Sequence, residues 1–126
     1  MPALNYQAQF APKVESGEKL QTIRARRKRP FKRGDRLYHY TGMRTKSCRK
    51  LGESTCVIAM DIVIGKKGIR FDDYISAPDE TALARADGFV NWAHMRDWFM
   101  KTHGLPFEGQ LIRWARIEKG ISDAST

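Results

Sequence analysis

Three side chains with complementary chemistry stand close together early in the chain, in the run Gly17-Glu18-Lys19-Leu20-Gln21-Thr22-Ile23-Arg24. Thr22 carries a hydroxyl, Lys19 an amine three residues before it, and Arg24 a guanidinium two residues after it. In an extended segment Thr22 and Arg24 point to the same face. A guanidinium beside an amine disfavours the charged amine, which moves Lys19 toward a usable base for the Thr22 hydroxyl. The same three groups can instead hold a phosphate or a base edge by charge and hydrogen bonding. The residue types alone leave both readings open.

Other chemistries have no signature here. There is no GxxxxGK[ST] loop and no GxGxxG. His39, His94 and His103 show no metal-ligand spacing among themselves, and Cys48 and Cys56 stand without a second cysteine pair. No metal and no cofactor is expected, and each histidine is expected to serve packing or the surface. Two reduced thiols, with no charged and apolar leader at the N-terminus, set the expectation of a cytoplasmic protein. The longest apolar-leaning stretch, residues 56–64, is broken by Asp61 and is too short to span a bilayer.

Charge gives the second functional signal. Of the 23 Lys and Arg in the chain, thirteen lie between Lys19 and Lys50 beside a single acid, Asp35. The remaining ten face thirteen of the 14 acids, so the net charge of +9 comes from one segment. Self-repulsion works against such a concentration, and a polyanionic partner is its commonest reason. Arg24, Arg26, Arg27, Lys28, Arg29, Lys32 and Arg33, then Arg44, Lys46, Arg49 and Lys50, are expected on two basic loops that bind RNA or another single strand. Phe31, Tyr38 and Tyr40 are interleaved aromatics suited to stacking on unpaired bases. An acidic protein partner for the same loops is a further reading that nothing in the sequence favours.

The positioning elements follow from periodicity and breakers. Residues 10–16 read as a short helix, with Pro12 in the first turn and Gly17 past the end. A brief strand over 21–24 leads into a basic loop over 26–33, closed by Gly34-Asp35. Residues 36–41 alternate as a strand, with Leu37, His39 and Thr41 on one face. A second basic loop over 42–52 precedes a Val- and Ile-rich strand over 55–64. Gly65 to Gly68 turns this strand into a hairpin with 69–71. Pro78-Asp79-Glu80 opens a short helix ending near Gly88. Asn91 caps a longer helix over 92–103, ended by Gly104, with Trp92, Met95, Trp98 and Phe99 along its apolar side. A last strand covers 111–117, and residues 122–126 are expected to fray. The whole reads as one α+β domain over 1–126 with its core at about 6–118. Its expected form is a small, partly open, mixed or antiparallel barrel of five to six strands with two to three peripheral helices.

Several of these residues together resemble a known family. Gly17, Lys19, Thr22-Ile23-Arg24, Gly34-Asp35 and the strand from Leu37 look like the N-terminal signature of ASCH domains. Those domains are small relatives of the PUA barrel, often encoded by bacteria and their phages. Asp87-Gly88-Phe89, the helix with Trp92 to Phe99, and Leu111 to Trp114 also look like that family. The resemblance spans about residues 10–117 and implies a PUA-like barrel with an RNA-binding cleft beside it. It implies, as an alternative, a hydrolase of nucleic acid components. Some small members are similar to amidohydrolases that remove the acyl group of N4-acetylcytidine with a Lys, a Thr and a Glu, and others are reported as ribonucleases. Lys19 and Thr22 match the first two residues. Asp87 is the positional match for the acid, an Asp where the motif has Glu. By that resemblance neutral Lys19 takes the Thr22 proton, Thr22 attacks the amide carbonyl, and Asp87 orients Lys19 or the leaving amine. Arg24, or backbone N–H groups near Ile23, would face the oxyanion.

Overall fold

The computed structural model describes residues 3–71 and 80–118. In chain order the elements are β1 (Ala3–Tyr6), α1 (Ala11–Ser16), β2 (Gln21–Ala25), β3 (Arg36–Thr41), β4 (Arg49–Ile64), β5 (Ile69–Phe71), α2 (Glu80–Ala86), α3 (Trp92–Thr102) and β6 (Phe107–Trp114). The six strands form one sheet in the order β1-β3-β4-β6-β2, with β5 paired to β4. All pairs are antiparallel except β1 with β3.

The 16-residue strand β4 is the spine. Its first part pairs with β3 and its second with β6 and β5, with register shifts at His39/Tyr40 and at Cys56/Ile58. Such irregularities bend and twist a long strand, which lets one strand serve both ladders. Gly52, at φ 152°, permits the bend, since a Cβ there would lie 2.6 Å from Ile117 Cγ2 and 2.9 Å from the Glu118 carbonyl. The ladder does not close. β1 and β2 are its two ends, and no strand pairing joins them among the described residues. The fold is therefore a mixed α+β sheet open between β1 and β2.

Alternation along the strands splits the buried residues into two cores. On one face Ile23, Ile62, Ile64 and Leu111 pack with Leu83, Ala84, Phe89, Met95 and Phe99 from α2, α3 and their connection. On the other, Ile112 and Trp114 pack with Leu4, Tyr6, Val14, Phe31, Leu37 and Leu51. Neighbours Leu111 and Ile112 thus serve opposite faces. Gly109 allows β2 to approach β6, for a Cβ there would stand 2.2 Å from the Arg24 carbonyl.

The sequence-based elements need several corrections. β1 was not foreseen; its four residues add Leu4 and Tyr6 to the core, which therefore starts before residue 6. β4 begins at Arg49, so Arg49 and Lys50 stand on a strand rather than in a loop. β6 runs over Phe107–Trp114, not 111–117. Phe31 is 5% exposed and belongs to the core, so it has no face to offer a base. Pro78, Asp79 and the tail from 119 lie outside the described residues. Among those described, no helix is long and apolar enough to cross a membrane.

His39 ties the second core to the open edge. It is fully buried, with Nδ1 2.9 Å from the Tyr6 hydroxyl and Nε2 2.7 Å from Ser54 Oγ. Its ring lies 4.5 Å from that of Trp114. Burial first, then the charges of Arg24 and Arg36, push its pKa down to about 4. A histidine neutral in the fold but free to protonate when unfolded makes stability rise with pH between those two pKa values. The protein should therefore lose about 3 kcal/mol from this residue as pH falls from 6.5 to about 4. Urea unfolding of wild type and His39→Gln across that window measures it. Equal pH slopes for the two proteins would contradict a buried neutral His39.

Candidate functional site

The gap between the two sheet ends holds a cavity of about 440 Å³. β1 contributes Asn5 and Tyr6 to its wall, β2 contributes Thr22, Ile23, Arg24 and Ala25, and the turn before β2 contributes Lys19. Asp87 and Phe89 enter from the end of α2. Phe10, Trp98, Phe99 and His103 make an aromatic side. All three residues expected to be catalytic therefore line one cavity, together with Arg24.

Local structure explains how Lys19 arrives there. α1 ends at Gly17, which takes the left-handed conformation (φ 87°) and donates its N–H to the Val14 carbonyl. The chain then turns back, with Lys19 N–H donating to the Lys13 carbonyl at 2.9 Å. Asp87 follows directly after α2, where its N–H donates to Leu83 and Ala84. A carboxylate at a helix C-terminus faces the unfavourable end of the peptide dipoles, so its placement needs another cause. Lys19 supplies it. Its ammonium stands 3.3 Å from Asp87 Oδ2, donates to the Asp87 backbone carbonyl, and lies 5.3 Å from the Phe10 ring centroid.

Both members of this pair are deeply buried, at 3% and 7% side-chain exposure. Burial pulls the Lys19 pKa below the usual lysine range; the Asp87 carboxylate opposes this, while Arg24 and Lys13 reinforce it. Burial likewise pushes the Asp87 carboxyl up, against Lys19, Gln21 and Arg24. Each charge is thus sustained by the other against its desolvation.

A second hydrogen-bonded arm reaches Thr22. Arg24 Nε donates to Thr22 Oγ1 at 3.0 Å, and the Arg24 guanidinium lies 4.7 Å from the centroid of the Tyr6 ring. Tyr6 is held in turn by His39, whose other ring nitrogen meets Ser54. The Tyr6 hydroxyl is pushed far above the ordinary phenol value by burial, so it stays protonated. Since Thr22 Oγ accepts from Arg24, its own proton is left to donate elsewhere. Thr22 thus shares the cavity with Lys19 and Asp87, but its hydrogen bond is to Arg24.

The expected nucleic-acid residues are brought together far less. Of that set only Arg24 lines the cavity. Arg26 is paired with Asp61 at 2.8 Å, Arg49 with Glu15 at 2.7 Å, and Lys50 with Glu53. Tyr40 is half-buried on β3, opposite Asn5 of β1. Among the described residues Arg27, Lys28, Arg29, Lys32, Arg33, Arg44 and Lys46 are exposed and have no carboxylate partner. Arg27 packs its guanidinium 4.5 Å from the Phe31 ring centroid. Both basic loops nevertheless start near the cavity. The first leaves β2 after Ala25, and in the second Met43 N–H donates to Asn5 Oδ1 at 3.0 Å.

Sequence reasoning missed Gln21, Tyr6 and the aromatic side. Gln21 was readable as an amide at an inward strand position two before Ile23, and it is 1% exposed. Tyr6 and Asn5 carried no signal, because β1 is only four residues long. No group of three or more His, Cys, Asp or Glu that could hold a metal ion occurs among the described residues. Comparison with family models, with curated proteins and with solved structures gives no match.

Removing one partner of a buried pair strands the other charge, at about 3–5 kcal/mol, whereas an apolar pair of similar volume is far better tolerated. Asp87→Leu should therefore lower unfolding stability by about that amount, and Lys19→Met in the same chain should recover most of it. Denaturant midpoints of wild type, both single variants and the double variant form the cycle. Single variants as stable as wild type, or a double variant showing the sum of their losses, would contradict the pairing.

Proposed function

We propose that the chain is a hydrolase that removes an acyl group from the exocyclic amine of a nucleobase-sized ring, with N4-acetylcytidine as the type substrate. The observation that carries this is the convergence of Lys19, Thr22, Arg24 and Asp87 on one cavity with an aromatic side. The volume suits a single nucleoside rather than a strand, and Phe10, Trp98 and Phe99 suit a planar ring. The likeness of Gly17, Lys19, Thr22-Ile23-Arg24 and Asp87-Gly88-Phe89 to ASCH domains supports the same assignment. With it comes a PUA-like fold, whose barrel would be the present sheet curled about the β1–β2 gap.

Neutral Lys19 accepts the Thr22 hydroxyl proton, directly or through one water, as Thr22 Oγ bonds to the amide carbonyl carbon. The oxyanion that forms faces the Arg24 guanidinium. Collapse of the adduct breaks the C–N bond, and the Lys19 ammonium returns its proton to the departing amine. Water, deprotonated by Lys19, then adds to the Thr22 ester; the acyl C–O bond breaks, the Lys19 ammonium returns its proton to Thr22 Oγ, and the carboxylic acid leaves. Asp87 holds the Lys19 amine in place throughout and stabilises its protonated form after each transfer.

A second reading is favoured by the exposed cations 27–33, 44 and 46. On that reading the chain binds single-stranded RNA, and the cavity takes one base while the loops take phosphates. The two readings separate in one set of measurements. The hydrolase reading expects release of acetate from N4-acetylcytidine, falling by at least about 10²-fold in Thr22→Ala. Equal turnover by the variant would remove Thr22 from the mechanism. The RNA reading expects no release, and binding of a single strand whose log K falls with log salt at a slope near −4, for about six phosphate contacts.

A further inference from the structure

We propose that Gln21 is a positioning residue, clamped by Arg113 so that its amide N–H fixes the Asp87 carboxylate against Lys19. The inference rests on the reading of Lys19 and Asp87 as the working pair and extends the site one layer outward, to Gln21 and Arg113, neither of which lines the cavity.

A buried side-chain amide can face either way, and the neighbours decide. Here both sides of Gln21 are determined. On β2 and β6 Gln21 stands directly across from Arg113. Arg113 Nε donates to Gln21 Oε1 at 2.8 Å. Because a guanidinium can only donate, only the oxygen end of the amide can accept from it. The NH2 end is thereby turned inward, where it meets two acceptors: the Leu83 carbonyl at 3.1 Å and Asp87 Oδ1 at 3.2 Å. Asp87 then uses Oδ1 for Gln21 and Oδ2 for Lys19. The chain of donors Arg113 to Gln21 to Asp87 runs in one direction, ending on the group that holds the lysine.

Arg113 itself is unusual. It is half-buried and has no carboxylate partner among the described residues; its Nε donates instead to a neutral amide. An arginine placed for stability alone would more naturally meet an acid. If the amide were reversed, Oε1 would face the Asp87 carboxylate, and two acceptors in contact would disfavour its ionised form. The clamp therefore sets the charge available to Lys19 as well as the carboxylate's direction.

The charged and polar groups that act on the Asp87 carboxylate are Lys19 from the turn after α1, Gln21 and Arg24 from β2, and Tyr6 from β1. Only Gln21 depends on Arg113 for its orientation.

The test reads the Asp87 carboxyl carbon by NMR over a pH titration, in the full chain without substrate. It needs no turnover, so its failure is distinguishable from failure of the hydrolase reading, which the acetate-release assay decides. Gln21→Leu removes the donor and should move the Asp87 titration upward. Arg113→Met leaves Gln21 in place but removes the donor that anchors its oxygen, which loosens the amide against Asp87, and should move Asp87 in the same direction. Arg113→Lys, which still only donates, should restore the wild-type curve. Because Arg113 is partly exposed, its variants keep the test valid if Gln21→Leu does not fold. An Asp87 titration unchanged in Arg113→Met, with amide spectra showing a native fold, would overturn the proposal. A shift that Arg113→Lys fails to reverse would overturn it too.

Discussion

The site is organised around one costly act, the burial of a lysine ammonium against an aspartate between two apolar cores. Desolvation opposes both charges, and at 3.3 Å only their mutual attraction and their hydrogen bonds offset it. The rest of the site can be read as the means of sustaining that pair. Gly17 reverses the chain so that Lys19 points inward. Gly88, at φ 101°, lets Phe10 and the Lys19 stem come close, since a Cβ there would lie 3.1 Å from Phe10 Cδ1. Gln21 and Arg24 then supply donors to the carboxylate side and the hydroxyl side.

The open sheet is what makes room. Were β1 hydrogen-bonded to β2, the strands that carry Tyr6 and Thr22 would be about 5 Å apart and no ligand would fit between them. Instead the two ends are bridged by side chains, through Tyr6 and Arg24, and the cavity occupies the remainder. Function and fold meet in this gap: the residues that fail to complete the sheet are the ones that face the cavity.

Much of this was legible in the sequence, for physical reasons that differ by element. The capped helix after Asn91 declared itself because its cap and apolar spacing are local, and Asn91 Oδ1 does accept from His94 N–H at 2.8 Å. Lys19, Thr22 and Arg24 stood out because their types combine into a recognisable chemistry. Asp87 entered only through resemblance, since no local rule brings residue 87 to residue 19. β1 escaped notice because four residues carry too little periodicity, and its parallel pairing with β3 is wholly long-range. The start of β4 was misplaced because Arg49 and Lys50 look like loop residues. Their charges are instead met by Glu15 from α1 and by the buried Glu53 of the same strand. The charge count, likewise, could not tell paired cations from unpaired ones: Lys19, Arg26, Arg36, Arg49 and Lys50 have carboxylate partners, and the exposed cations from Arg27 to Arg33 have none among the described residues.

The central claim is that Lys19 is held in the fold as a desolvated amine, ready to lose its proton. Following the Lys19 side-chain ε-carbon and ζ-nitrogen resonances through an alkaline titration measures this directly, with the other lysines of the same chain as internal references. The account predicts that Lys19 titrates below those exposed lysines, and that replacing Phe10 with a small residue, which admits water, moves it back toward them. A Lys19 that titrates together with the surface lysines would contradict it.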